Sequence, residues 1–160
     1  MLLAFADSHR SQIALELIAE LILSQQPRLF VHAGDNYPDF QWLQKKTKVP
    51  GYGVRGNCDF GNMPEAREEL IFRYQNKKIL LTHGHKEGAK YSYRALLRRA
   101  EKLGAEAVIF GHSHVPLLQE KAGIWLINPG SIPLPRGGSR PSYAKISLEQ
   151  GKLKAELIEV

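Results

Sequence analysis

An α/β fold is what this chain predicts, and two observations carry it. Short apolar runs of strand type alternate with stretches whose apolar residues recur at helical spacing, and five of those runs end at once in polar clusters. The bulk composition agrees: among 160 residues, 43% are hydrophobic and 24% charged, enough to bury a core and solvate a surface. That excludes disordered and fibrous classes and argues for one domain spanning residues 1–160.

Taken in order, Leu2 to Ala6 is an apolar strand. Ile13, Leu17 and Leu21, with Ala14, Ile18 and Ile22, then mark a helix through about Gln25, with the first three expected in the core. Leu29 to His32 is a second strand ending in Ala33-Gly34-Asp35, and Tyr52 to Arg55 a third ending in Gly56-Asn57-Cys58-Asp59. Residues 36–41, 59–65 and 86–93 read as loops. Glu69 to Tyr74 alternates as a strand, turning through Gln75-Asn76-Lys77 into Lys78 to Thr82. Tyr91 to Leu103 reads as an amphipathic helix stopped by Gly104, and Ala107 to Phe110 as a strand ending in Gly111-His112-Ser113-His114. The remaining runs, Ile124 to Ile127, Tyr143 to Leu148 and Lys152 to Ile158, are expected to form an antiparallel meander. They are separated by Asn128-Pro129-Gly130 and a Pro/Gly-rich loop.

Five strands are thus followed by Asp7-Ser8-His9, Gly34-Asp35-Asn36, Gly56-Asn57-Cys58-Asp59, His83-Gly84-His85 and Gly111-His112-Ser113-His114. Ligand crevices of open α/β sheets lie at the carboxyl ends of strands, so the clusters should meet at one edge. All six histidines fall in a few short clusters, and so do the four aspartates, whereas the twelve glutamates are scattered. Solubility does not require that placement; a metal site does. Residues i and i+2 past a strand share a face, so Asp7/His9 and His112/His114 can each point into one site. Carboxylate, imidazole and one carboxamide oxygen suit divalent Mn, Fe, Co, Ni or Zn. Seven candidate ligands, Asp7, His9, Asp35, Asn57, His83, His112 and His114, exceed what one ion needs, whereas two ions sharing a carboxylate account for them.

In this order, Asp-x-His, Gly-Asp, Gly-Asn, His and Gly-His-x-His resemble the calcineurin-like metallophosphoesterase superfamily, and within it the small YfcE-type phosphodiesterases. Asn128-Pro129-Gly130-Ser131 extends the likeness over essentially the whole chain. The resemblance implies a four-layer α/β/β/α sandwich. It implies one metal held by Asp7, His9, Asp35 and His114 and a second by Asp35, Asn57, His83 and His112, with Asp35 bridging. Asp35, Asn57 and His83 stand as the catalytic set. The implied chemistry is in-line attack on a small phosphodiester by a metal-bridging hydroxide, with two divalent ions, Mn foremost and Ni, Fe, Zn, Co or Mg as alternatives. Cys58 stands where many members carry a histidine, and a thiol of ordinary pKa about 8.5 replaces an imidazolium poorly as acid or clamp. Activity should therefore rely on the metals and favour good leaving groups. Arg10, Cys58 and His85 are the candidate substrate contacts. His32 is expected to be a core residue bonded to a carboxylate, and Asp59 to order its turn.

The same resemblance reaches the small retromer scaffold subunit, which sets a non-catalytic scaffold for protein partners as the alternative. In that subunit's pattern the bridging Gly-Asp is Gly-Asn and the later Gly-Asn is Gly-Asp, whereas here Asp35 and Asn57 stand as in the enzymes. The net charge of +6 names no partner by itself. Lys45, Lys46 and Lys48 form one short run, and Arg94, Arg98, Arg99 and Lys102 lie along one helix, without the aromatic interleaving that nucleic-acid binding requires. Beyond nucleotide substrates, nucleic acid is not expected, and a homo-oligomer stays open. One cysteine forms no internal disulfide, the most apolar stretch is broken by Glu16 and Glu20, and no leader precedes Asp7, so a cytoplasmic, non-membrane protein is expected.

Overall fold

Two five-stranded mixed sheets pack face to face in the computed structural model, which describes residues 1–160. β1 (Leu2–Phe5), β2 (Leu29–His32) and β3 (Gly51–Gly53) run parallel at one side of the first sheet, whose strand order is β10-β9-β1-β2-β3. The second sheet, in the order β4-β5-β6-β8-β7, comprises β4 (Glu69–Tyr74), β5 (Lys77–Thr82), β6 (Ala107–Ile109), β7 (Leu117–Lys121) and β8 (Ile124–Asn128). β9 (Ser142–Glu149) and β10 (Lys152–Glu159) return to the first sheet, where β9 pairs antiparallel with β1.

Period-two alternation builds the layers, because the central strands are apolar on both faces. Leu2, Ala4, Val31, Ile79, Leu81, Ala107 and Ile109 meet between the sheets. Leu3, Phe5 and Phe30 face the other way, onto α1 (Gln12–Gln25) and α2 (Tyr37–Thr47). Leu80, Val108 and Phe110 pack under α3 (Arg94–Leu103). The result is the expected four-layer α/β/β/α sandwich.

Four expectations need correction. Residues 37–47 form α2 rather than a loop, started by Pro38 in its first turn, with Asp39 there favourable to the helix dipole. Ile13 is 86% exposed, and Leu17 and Leu21 pack only at the margin of the core, whose α1 face is Ala14, Leu15, Ile18, Ala19 and Ile22. The apolar arc of this helix is wide, and its entry from the Ser11 cap selects which part turns inward. α3 begins at Arg94, after a turn at residues 91–93. The three terminal strands are not one meander. β8 lies in the second sheet, parallel to β6 and hairpinned with β7, a strand not foreseen, while β9 and β10 close the first sheet.

Candidate metal centre

The carboxyl ends of β1, β2 and β3 in one sheet and of β5 and β6 in the other open on the same edge, so the five clusters converge across two facing sheets rather than along one. Short bonds lock the ends together. Asp7 N–H donates to Gly34 O at 3.0 Å and Gly111 N–H to His83 O at 3.1 Å. His83 Nδ1 bonds Ala33 O at 2.8 Å and His112 N–H donates to Asp7 Oδ2 at 3.0 Å, both spanning the two sheets. Close approach demands glycine here. Gly34 has φ +91°, and a Cβ on it would sit 2.6 Å from His83 Nδ1.

The backbone is strained at the same place. Twelve non-glycine residues have positive φ, and seven of them are Asp7, His9, Arg10, Asp35, Asn36, His112 and His114. Such conformations persist where the surrounding structure enforces them, and they gather at functional sites.

Asp7, His9 and His114 place ligand atoms within 4.8 Å of one another, and so do Asp7, Asp35 and His83. Asp35 links the halves: Oδ2 lies 3.7 Å from His9 Nε2 and Oδ1 3.3 Å from His83 Nε2. Asn57 Oδ1 is 3.2 Å from His83 Nε2. The His112 ring stands further out, its centroid 5.1 Å from that of His83. Asp7 Oδ1 is buried without a hydrogen-bond partner, 3.5 Å from His114 Nε2 and 4.0 Å from His9 Nε2. An orphaned carboxylate oxygen facing two imidazole nitrogens is what a cation site provides and a folding core avoids.

The tautomers suit a cation too. His83 and His114 direct Nδ1 at carbonyl oxygens, Ala33 O and Leu134 O, each at 2.8 Å, which assigns the proton to Nδ1 and leaves the Nε2 lone pair facing the cluster. His9 Nε2 and His114 Nε2 are 3.2 Å apart. Two nitrogens each about 2.1 Å from one shared ion stand at about that spacing.

Electrostatics divide the two carboxylates. Burial, then the negative charge of Asp35, holds the Asp7 carboxyl well above its usual range. Burial also works to raise Asp35, but the adjoining His83 imidazole and the Cys58 N–H at 3.0 Å outweigh it, and that carboxyl sits below its ordinary value. Burial lowers His83 and His114, and burial with the neighbouring His83 ring and Lys90 brings His112 to about 4, which favours the neutral imidazoles that ligands must be. Two adjacent carboxylates and neutral imidazoles leave uncompensated negative charge that a cation would neutralise.

The other expected residues fall as follows. Cys58 lies with His9 and Asp35, its thiol pushed up to about 11 by burial and by the neighbouring Asp35 carboxylate. A thiol held protonated has no nucleophilic part. Arg10 is held by Nε to Asn36 Oδ1 at 2.8 Å at the rim. The His85 ring centroid lies 5.3 Å from that of His83, and its buried Nδ1 has no partner. Asp59 does order its turn, accepting from the N–H groups of Asn36, Tyr37 and Gly56 at 3.1, 2.6 and 2.8 Å. His32 differs from expectation: it bonds Ser8 Oγ at 2.9 Å, and the hydroxyl donates to Asp39 Oδ2 at 2.6 Å, so the carboxylate is reached through a serine. Lys90 and Arg136 were not read from sequence, and Ser8, Asp39 and Ser131, although they lie in or beside named motifs, were given no role of their own. Ser131 Oγ donates to Asp7 O at 2.8 Å, fastening the late loop to the first strand end. Lys90 and Arg136 oppose the burial effect at Asp7 with positive charge, yet neither belongs to a strand-end motif that could have flagged it.

Comparison with known proteins accords with this architecture. Residues 1–151 match the calcineurin-like phosphoesterase superfamily domain. The chain is 37% identical over 147 residues, 92% of it and 83% of the relative, to the protein named probable metallophosphoesterase YsnB of Bacillus subtilis. It is 27% identical over 167 residues, covering 91% of it and 87% of the relative, to phosphodiesterase YfcE of Escherichia coli. Among solved structures, a conserved phosphoesterase-like protein of Streptococcus pneumoniae superposes with a TM-score of 0.83 at 27% identity, covering 99% of this chain and 88% of that one. Vps29 of Entamoeba histolytica, 21% identical with a TM-score of 0.77 over 99% and 98% of the two chains, shares the fold. The chain belongs to the calcineurin-like phosphoesterase superfamily.

Proposed function

We propose that this protein is a metal-dependent phosphodiesterase that hydrolyses small phosphodiesters, with Asp7, His9, Asp35 and His114 holding one divalent ion, Asp35, Asn57, His83 and His112 a second, and Asp35 common to both. The observation that carries it is the buried, unpartnered Asp7 Oδ1, set opposite two imidazole nitrogens beside a second carboxylate. When bound, such ions supply acidified water and neutralise phosphoryl oxygens.

The chain's own residues do the rest. The Nδ1 bonds of His83 and His114 fix two imidazoles before any ligand arrives, so little ordering cost falls on binding. Arg10, held at Asn36, and His85, beside His83, are the residues proposed to meet the non-bridging oxygens or the ester groups of a substrate. Cys58, kept as thiol, offers bulk and weak polarity in place of a proton donor, which leaves expulsion of the leaving group to the substrate's own chemistry. The phosphodiesterase named among the relatives supports the diester over the monoester. Manganese is the ion proposed first on the family resemblance, and the mixed carboxylate and imidazole donors accept Fe, Co, Ni or Zn as well.

The test is turnover of bis-p-nitrophenyl phosphate against p-nitrophenyl phosphate by metal-stripped protein, with Mn, Ni, Zn or Mg restored separately. Metal-dependent turnover faster on the diester is expected. No turnover with two ions bound would overturn the enzyme reading in favour of a scaffold for protein partners.

A further inference from the structure

Outside the metal centre, a groove between α3 and the edge strand β7 gathers cations from segments far apart in sequence. It consists of two adjoining cavities of about 280 and 350 Å³ that share Arg94, Leu97 and Lys121, with Lys90 and Arg98 extending the basic lining. Lys121 is brought there by strand alternation. It pairs with Ile124 and so lies on the α3 side of the sheet, whereas Glu120, opposite Trp125, is turned to the other face. Lys90, Arg94, Arg98 and Lys121 are all exposed. The ion pairs of this region are made by other cations, Lys86 with Glu68 and Arg99 with Glu69, and Glu101, one turn beyond Arg98, makes none.

Nothing in the fold requires this arrangement, and two features oppose it. Arg94 and Arg98, four residues apart, repel one another on the helix surface. Arg94 also occupies the first turn of α3, which holds no acidic residue, where the helix dipole disfavours a cation. An anionic ligand relieves both. The groove carries an aromatic platform as well. Tyr91 is 92% exposed, while Tyr93 packs on Phe110 with ring centroids 5.6 Å apart and anchors the segment. This segment is continuous with the metal centre, because the loop after β5 folds tightly on itself. Ala89 N–H donates to Gly84 O at 3.0 Å and Tyr91 N–H to Gly88 O at 2.9 Å, placing Lys90 and Tyr91 beside the turn that bears His83 and His85.

We propose that this groove binds the backbone of single-stranded nucleic acid and leads it to the metal centre, with successive phosphates along Lys90, Arg94, Arg98 and Lys121 and a base stacked on Tyr91. The inference deepens the phosphodiesterase reading and rests on it. Cations interleaved with a free aromatic ring, in a groove whose Lys90 and Tyr91 end adjoins the turn bearing His83 and His85, favour a nucleic acid over an acidic peptide, which needs no ring.

Binding is read by fluorescence anisotropy of a short fluorescein-labelled oligodeoxythymidylate on the metal-stripped protein, so the readout is independent of turnover. Four neutralised phosphates predict a slope of log affinity against log salt of about −3. The combined substitution Arg94→Gln, Arg98→Gln and Lys121→Gln should weaken binding by at least about tenfold, as should Tyr91→Ala. All four positions are exposed, and thermal melting checks that each variant is folded. Absence of binding, or equal binding by the charge variant, overturns the proposal. So does a polyglutamate peptide that competes as well as unlabelled oligonucleotide while Tyr91→Ala has no effect. Oligonucleotide binding by a protein that, with metal restored, hydrolyses no diester overturns the catalytic reading and leaves the groove assigned.

Discussion

Asp35 touches both halves of the centre, with one oxygen 3.3 Å from His83 Nε2 and the other 3.7 Å from His9 Nε2. Its charge, more than its shape, is what two ions would share. Asp35→Asn keeps the shape and removes the charge. We expect it to lower bis-p-nitrophenyl phosphate turnover by more than about 100-fold, since even outer partners of a metal site cost 10–100-fold. Metal content by plasma emission should fall from two ions to at most one. Folding should survive, because the repulsion between Asp35 and Asp7 is relieved. An Asp35→Asn protein that retains turnover and both ions would overturn the shared-carboxylate arrangement.

At the scale of elements, the centre depends on how closely β2 and β5 approach at their ends. Gly34 permits that approach, and the bond from His83 Nδ1 to Ala33 O depends on it. Gly34→Ala places a methyl group against the imidazole at a φ of +91°. Urea unfolding should show a loss of about 1–3 kcal/mol. Titration calorimetry with Mn should show affinity down by roughly 10–100-fold, because the His83 ring must turn away. Unchanged stability and affinity would mean that the two sheet ends are not held at contact distance. α2 serves the same region from the other side: Asp39, in its first turn, accepts from Ser8 Oγ at 2.6 Å and from Arg10 N–H at 2.8 Å, tying the helix to the first strand end.

For the whole molecule, the centre is a source of instability that a cation converts into stability. Two carboxylates lie side by side at the ends of the adjacent strands β1 and β2, and the imidazoles of His83, His112 and His114 come from the other sheet, so ion binding should hold the sandwich together. At Mn a hundredfold above its dissociation constant the gain is about 2.7 kcal/mol, or roughly 5–10 °C in melting midpoint for a chain of this size. Calorimetric scans with Mn and with chelator test this, and identical midpoints would contradict it. The chelated protein should also weaken toward acid. His32 is fully buried, and burial lowers its pKa to about 4, against 6.5 in the unfolded chain. Between those values the unfolded chain takes up a proton that the folded one refuses, so stability is intact above about pH 6.5. It then falls toward pH 4, by up to about 3 kcal/mol. Asp7, with a raised carboxyl pKa, acts in the opposite sense, so the comparison is with His32→Gln. Urea midpoints at pH 7 and pH 5 should differ less in that variant than in the wild type, and equal differences would overturn the assignment.

Read without any neighbour, the chain yields the ligand inventory and the fold class. Apolar runs of two periods dictated α/β, because burial on both faces of a central strand leaves a run such as Lys78 to Thr82 legible without any neighbour. The seven candidate ligands were legible because each follows a strand end, where the chain must turn and short polar residues are favoured. The tertiary structure alone decided which sheet each strand joins, since β8 and β9 carry similar apolar patterns and differ only in the partners they meet. It also decided which arc of α1 is buried, because an amphipathic arc wider than one face is oriented by its cap and its neighbours. The α2 helix was hidden by Asn36-Tyr37-Pro38-Asp39, which reads equally as a loop. The basic groove was hidden more deeply, since Arg94 and Lys121 are unremarkable apart and only the packing of α3 beside β7 makes them one surface.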